Sequence, residues 1–119
     1  MEVKEYTELG DFWVSAEDGE FYIGLLPAVV AKLGKISFVD QIPMGKVISQ
    51  DGVIGVIETE KAGDWLMKSP ITGQVTKFNT RLNRKPELVN KNPIGEGWIV
   101  RCRIPKVDKL SQLGEVKNI

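Results

Sequence analysis

Glycine and proline interrupt this chain at short intervals, 12 glycines and 6 prolines in 119 residues, and that spacing constrains the fold most strongly. Both residues punctuate local structure: glycine admits left-handed backbone, and proline fixes φ and removes a donor. Between them lie short runs rich in Val, Ile and Phe: Phe12-Trp13-Val14, Phe21-Tyr22-Ile23, Ile36-Ser37-Phe38-Val39, Val53 to Ile57, Gln74 to Phe78 and Trp98 to Cys102. Their length and β-branched content predict strands, and their regular spacing predicts an antiparallel barrel or sandwich. Several runs are apolar at consecutive positions, the pattern of a sheet covered on both faces. Phe12, Trp13, Phe38 and Phe78 are accordingly expected in the core or half-buried on strands.

Short helices interrupt this pattern. Leu26 to Leu33 has Pro27 suited to a first helical turn and Gly34 suited to the position after the last. Pro86-Glu87-Leu88-Val89-Asn90 predicts one helical turn. In the tail, Val107, Leu110, Leu113 and Val116 recur every three residues, so a short docking helix is expected over 106–119, with Gly114 weakening it. One domain over 1–119 is expected, since 119 residues is a single-domain length and no linker or low-complexity tract interrupts the chain.

Composition narrows the chemistry. Hydrophobic residues make up 42% and charged residues 27%, so the chain can form an ordinary globular core. Sixteen basic residues balance sixteen acidic ones, which leaves no electrostatic footprint for nucleic acid or a membrane surface. There is no histidine, so imidazole catalysis and His-ligated metals are excluded. Cys102 is the only cysteine: no intrachain disulfide can form, and a reducing, cytoplasmic compartment is expected. Cys102 alternates with Arg101 and Arg103, which predicts a buried thiol between exposed arginines, with an arginine-activated reactive thiol as the alternative. The mixed, acidic start at Met1-Glu2-Val3-Lys4-Glu5 is unlike a signal peptide, and the longest uncharged stretch, Phe21 to Ala31, is too short to span a bilayer.

One segment concentrates charge between two apolar runs: Val53-Ile54-Gly55-Val56-Ile57-Glu58-Thr59-Glu60-Lys61-Ala62-Gly63-Asp64-Trp65-Leu66-Met67-Lys68. This predicts a hairpin with Glu60-Lys61 at its tip and Lys61 projecting into solvent, flanked by Glu58, Glu60 and Asp64. Charged residues are routine at solvated turns, and acids beside an exposed lysine add little to stability. They do suit recognition by another protein.

These residues resemble the H protein of the glycine cleavage system, a relative of lipoyl and biotinyl carrier domains. Gly52 … Gly55-Val56-Ile57-Glu58-Thr59-Glu60-Lys61-Ala62 … Ser69-Pro70-Ile71-Thr72-Gly73 is similar to the lipoyl-lysine hairpin of that group. Asn79 … Pro86-Glu87-Leu88-Val89-Asn90 … Asn92-Pro93-Ile94-Gly95-Glu96-Gly97-Trp98 resembles a loop that ordinary lipoyl domains lack. Leu33-Gly34-Lys35-Ile36-Ser37-Phe38-Val39 with Ile42-Pro43 and Gly45 is a third match, and the likeness spans about residues 11–104. The chain departs from the family where His-Glu-Trp is replaced by Asp11-Phe12-Trp13, where Gly24-Leu25-Leu26 precedes the first helix, and where Glu58-Thr59-Glu60 precedes the lysine.

The resemblance implies a mostly β fold, a flattened antiparallel β-barrel sandwich with short peripheral helices. It further implies a non-catalytic, cytoplasmic, monomeric carrier with lipoic acid joined covalently to Lys61. Glu58, Glu60 and Asp64 would be read by the modifying enzyme, a lipoate-protein ligase or lipoyl transferase. The partners implied are glycine decarboxylase, aminomethyltransferase and dihydrolipoamide dehydrogenase. Three alternatives stand beside this: an H-protein-like lipoate carrier of a sulfur-oxidising heterodisulfide-reductase-like complex, a biotinyl carrier, and an unmodified binding module. Glu60 and Ala62 argue against biotin, since biotinyl carriers place Met on both sides of the lysine.

Overall fold

A computed structural model describes residues 1–40 and 43–119. Its elements are β1 (Glu5–Leu9), β2 (Phe12–Glu17), β3 (Glu20–Leu25), α1 (Pro27–Leu33), β4 (Ile36–Val39), β5 (Val47–Ile48), β6 (Val53–Thr59), β7 (Gly63–Lys68), β8 (Gly73–Phe78), α2 (Leu88–Lys91), β9 (Val100–Arg103) and β10 (Val116–Asn118). The strands form two antiparallel sheets. One runs in the order β10-β1-β2-β3-β9-β8-β5, and the other is β4-β6-β7. The fold is therefore mostly β and sandwich-like, as expected, with ladders that end at β10 and β5.

Both sheets turn apolar side chains inward. Ile23, Val75 and Cys102 from the larger sheet meet Val39, Ile57 and Met67 from the smaller one in a single core. The other face of the larger sheet carries a second cluster of Val3, Trp13 and Trp98, so β2 is covered on both sides as its consecutive apolar residues predict. Trp13 is fully buried, and its indole Nε1 donates to the Pro93 carbonyl at 2.7 Å, which ties β2 to the loop after α2. Glu20 receives hydrogen bonds from Thr76 Oγ1 (2.7 Å), Arg101 Nε (2.9 Å) and Arg103 Nε (3.2 Å), which stitches β3, β8 and β9 together. Arg101 also lies 5.0 Å from the centre of the Tyr22 ring and is half-buried, not exposed as its alternation with Cys102 predicts.

Three further expectations need correction. The tail over 106–119 is not a helix. Its apolar residues do dock, but through a single 3-10 turn at Leu110–Gln112 followed by β10, which pairs with β1. Lys106 takes a φ of 64°, which breaks any continuous helix at its start, and β1 offers an open edge that β10 fills. Phe38 is 43% exposed, because a register shift between Ile36 and Phe38 spends one residue and leaves Ile36 and Val39 as the inward pair. Among the described residues nothing covers the outer face of β4-β6-β7, where the apolar run predicted two covered faces. Ile42, part of the third family-like match, lies outside the described residues.

Candidate functional site

β6 and β7 pair from Val53–Lys68 to Thr59–Gly63, leaving Glu60, Lys61 and Ala62 as a three-residue loop. Gly63 closes it with a φ of 68°, the left-handed residue that three-residue hairpins favour. The Thr59 hydroxyl locks the turn from inside: it accepts from the Ala62 N–H at 2.8 Å and donates to the Gly63 carbonyl at 3.1 Å. Thr59 itself is buried. Lys61 therefore stands exposed at the apex of a rigid tip, and among the described residues its ammonium enters no ion pair.

The segment leading into β4 braces this tip. The Glu60 N–H donates to the Lys35 carbonyl at 3.2 Å. Gly34 sits beside the lysine stem, where a side-chain carbon on it would lie 3.4 Å from the Lys61 Cβ, and it holds φ and ψ of 76° and −153°, which favour glycine. Asn90 of α2 holds that segment from behind, donating from Nδ2 to the Gly34 carbonyl at 2.8 Å and accepting from the Ile36 N–H at 3.0 Å. An open groove between α1 and α2, lined by Pro27, Val30, Ala31, Lys35, Glu87 and Pro93 among others, reaches Gly34.

The acidic residues named from sequence do not act alike. Glu58 and Asp64 are exposed and directly opposite each other across β6 and β7. Glu60 turns the other way and meets Lys35, Oε1 to Nζ at 3.6 Å, an exposed pair worth little to stability. Cys102 lies far from reactivity: it is fully buried, and burial pushes its thiol up to about 12, with the charge of Glu20 adding to the rise. The reactive-thiol alternative is thereby excluded. Lys68 and Lys77 are exposed on strands, away from the tip. Among the described residues no group of His, Cys, Asp and Glu could hold a metal, and no helix is long and apolar enough to cross a membrane.

Sequence reasoning missed Thr59, Gly34 and Asn90 as members of this site. A Thr opening a charged turn is a recognisable local signal. Asn90 carries none, because its partner Ile36 is 54 residues away in the chain.

The family model for the glycine cleavage H-protein matches residues 4–119. The chain belongs to that family. It is 33% identical over 113 residues to the glycine cleavage system H protein of Thermotoga maritima, covering 95% of this chain and 90% of that protein. It is 39% identical over 97 residues to the protein of the same name from Listeria innocua, covering 81% and 75%. The crystal structure of a glycine cleavage system H protein from Mycobacterium marinum superposes with a TM-score of 0.76 at 24% identity, covering 97% of this chain and 89% of that one, and so shares the fold. H proteins of this system carry lipoic acid attached covalently to a lysine.

Proposed function

We propose that this chain is the lipoyl carrier of a glycine cleavage system and that Lys61 is its attachment residue. The observation that carries the reading is the hairpin apex: a primary amine exposed on a short, hydroxyl-locked turn between two paired strands. That arrangement fits a covalent arm, since the lysine stem gives reach and the sheet beneath gives position. Attachment joins Lys61 Nζ to the lipoyl carboxyl carbon as an amide, with loss of a proton from the amine and of the group that activates the acid. Once attached, the group supplies the two sulfurs needed for redox and group transfer, which a chain with one buried cysteine does not provide.

The chain's own part is positioning. Thr59 fixes the turn, Gly34 supplies the left-handed backbone beside the Lys61 stem, and Glu58 and Asp64 offer negative charge to an approaching protein. No catalytic group is assigned. Lipoate-protein ligase or lipoyl transferase would load Lys61, and glycine decarboxylase, aminomethyltransferase and dihydrolipoamide dehydrogenase would use it in turn, as an aminomethyl carrier in the cytoplasm. The relatives reported above are named for glycine cleavage, and the sulfur-oxidising heterodisulfide-reductase-like alternative draws no support from them.

Intact-mass spectrometry after incubation with a lipoate ligase, lipoate and ATP tests the assignment. Wild type should gain one lipoyl group and Lys61→Arg none, with unchanged circular dichroism, because an exposed tip tolerates substitution. A lipoyl group found on Lys68 or Lys77 would move the site. Addition of loaded protein to the three partner enzymes should restore carbon dioxide release from glycine. Failure there, with Lys61 loaded, would overturn the pathway and leave the carrier reading intact.

A further inference from the structure

The outer face of the β4-β6-β7 sheet combines features that stability does not explain. Phe38 is 43% exposed and Leu66 52% exposed, both on a sheet whose opposite face buries Val39, Ile57 and Met67. Register places Phe38, Glu58 and Asp64 in one row across the three strands, and Val56 and Leu66 in the next row on the same face. Asp40 continues the second row, its N–H donating to the Val56 carbonyl at 2.9 Å. Apolar and acidic positions thus alternate over the face: Phe38, Val56 and Leu66 run diagonally across the three strands, with Asp40, Glu58 and Asp64 between them. Like charges directly opposite one another, as Glu58 and Asp64 are, weaken a sheet. Large apolar side chains gathered in water on one sheet face mark interaction surfaces.

We propose that this face is the docking surface for the enzyme that acylates Lys61, and that the enzyme meets it with apolar side chains interleaved with basic ones. The inference rests on Lys61 being the modified residue. Two arguments select this occupant. At about 3.3 Å per residue along a strand, the patch lies roughly 10–16 Å from Lys61, so an enzyme that takes the hairpin tip into its active site covers this face as well. The charge disfavours a second copy of the chain, since two such faces would set carboxylate against carboxylate, whereas basic side chains are complementary. Lys68 is the one basic residue in these three strands, and it stands at the end of β7 farthest from the tip.

The test uses the full chain with lipoate ligase, lipoate and ATP, following mass gain, together with the dissociation constant of the unmodified protein for the ligase by calorimetry. Leu66→Ser and Phe38→Ser should each raise KM and Kd about tenfold while kcat stays within about twofold, as truncation of a buried interface side chain does. Leu66→Lys, at a half-exposed site, should weaken binding further by setting a cation against the enzyme's basic side chains, and it keeps the proposal testable should a Ser variant unfold. Val47→Ser, at an exposed apolar residue of the other sheet, should match wild type. Folded Leu66→Lys protein modified at the wild-type KM would overturn the docking surface while leaving the carrier reading intact. Sedimentation showing a wild-type dimer that Leu66→Lys dissolves would overturn it in favour of a second copy. Wild type that gains no lipoyl mass would overturn both.

Discussion

The Thr59 hydroxyl makes two hydrogen bonds within the turn that carries Lys61, and both disappear together when it is removed. Thr59→Val keeps shape and β-propensity but leaves the Ala62 N–H and the Gly63 carbonyl to water. It should cost about 0.5–1.5 kcal/mol of stability, and it should slow acylation of Lys61 because a looser tip presents the amine in more orientations. Thermal unfolding and initial rates of lipoylation check this, with Thr59→Ser expected to recover both. At this scale much was legible. Glu58-Thr59-Glu60-Lys61-Ala62-Gly63 announces a charged turn between apolar runs, and Lys61 stands at its apex. What local sequence cannot encode is which carboxylate is already engaged: Glu60 meets Lys35, brought alongside by the pairing of β4 with β6, while Glu58 and Asp64 face each other.

A short helix positions the hairpin from a distance. α2 is a single turn, yet its Asn90 bonds both the Gly34 carbonyl and the Ile36 N–H, and the backbone between them accepts from the Glu60 N–H. Asn90→Ala leaves a partly buried donor and acceptor unpaired and should destabilise the fold by about 1–3 kcal/mol. It should also lower the lipoylation rate at temperatures where the protein remains folded, measured beside Asn90→Asp, which restores only the acceptor. The elements themselves were unevenly readable. α1 is announced by Pro27 and Gly34, and the strongly apolar strands by their composition. β1, Glu5–Leu9, alternates polar with apolar residues too weakly to stand out, and β10 exists because β1 has an edge to pair with. The four tail residues spaced by three do reach the core, through a turn and a strand where their period predicts a helix. The exposure of Phe38 follows from a bulge, and no composition reveals a bulge.

Across the whole molecule, the larger sheet is held at its centre by Glu20. The Thr76 hydroxyl hydrogen bond, with Arg101 and Arg103, holds its carboxyl below the ordinary value of 4.5. A carboxyl with a depressed folded value contributes stability that is complete above 4.5 and is lost as pH falls through the folded value. Glu20→Gln should therefore reduce the denaturant midpoint at about pH 7 and narrow the gap between wild type and variant at about pH 3, as equilibrium unfolding at the two values would measure. Strand spacing predicted an antiparallel barrel or sandwich, and the family resemblance the flattened sandwich, but neither could say that Glu20, Thr76 and Arg101 converge from three strands. The sealing of Cys102 inside that sheet bears on how such a molecule stays chemically compatible with its own cargo. A strained cyclic disulfide on a swinging tether samples the protein surface continually, and a nearby thiolate would capture it as a mixed disulfide and end the cycle. With its single sulfhydryl buried, the scaffold offers no accessible thiolate to such an arm.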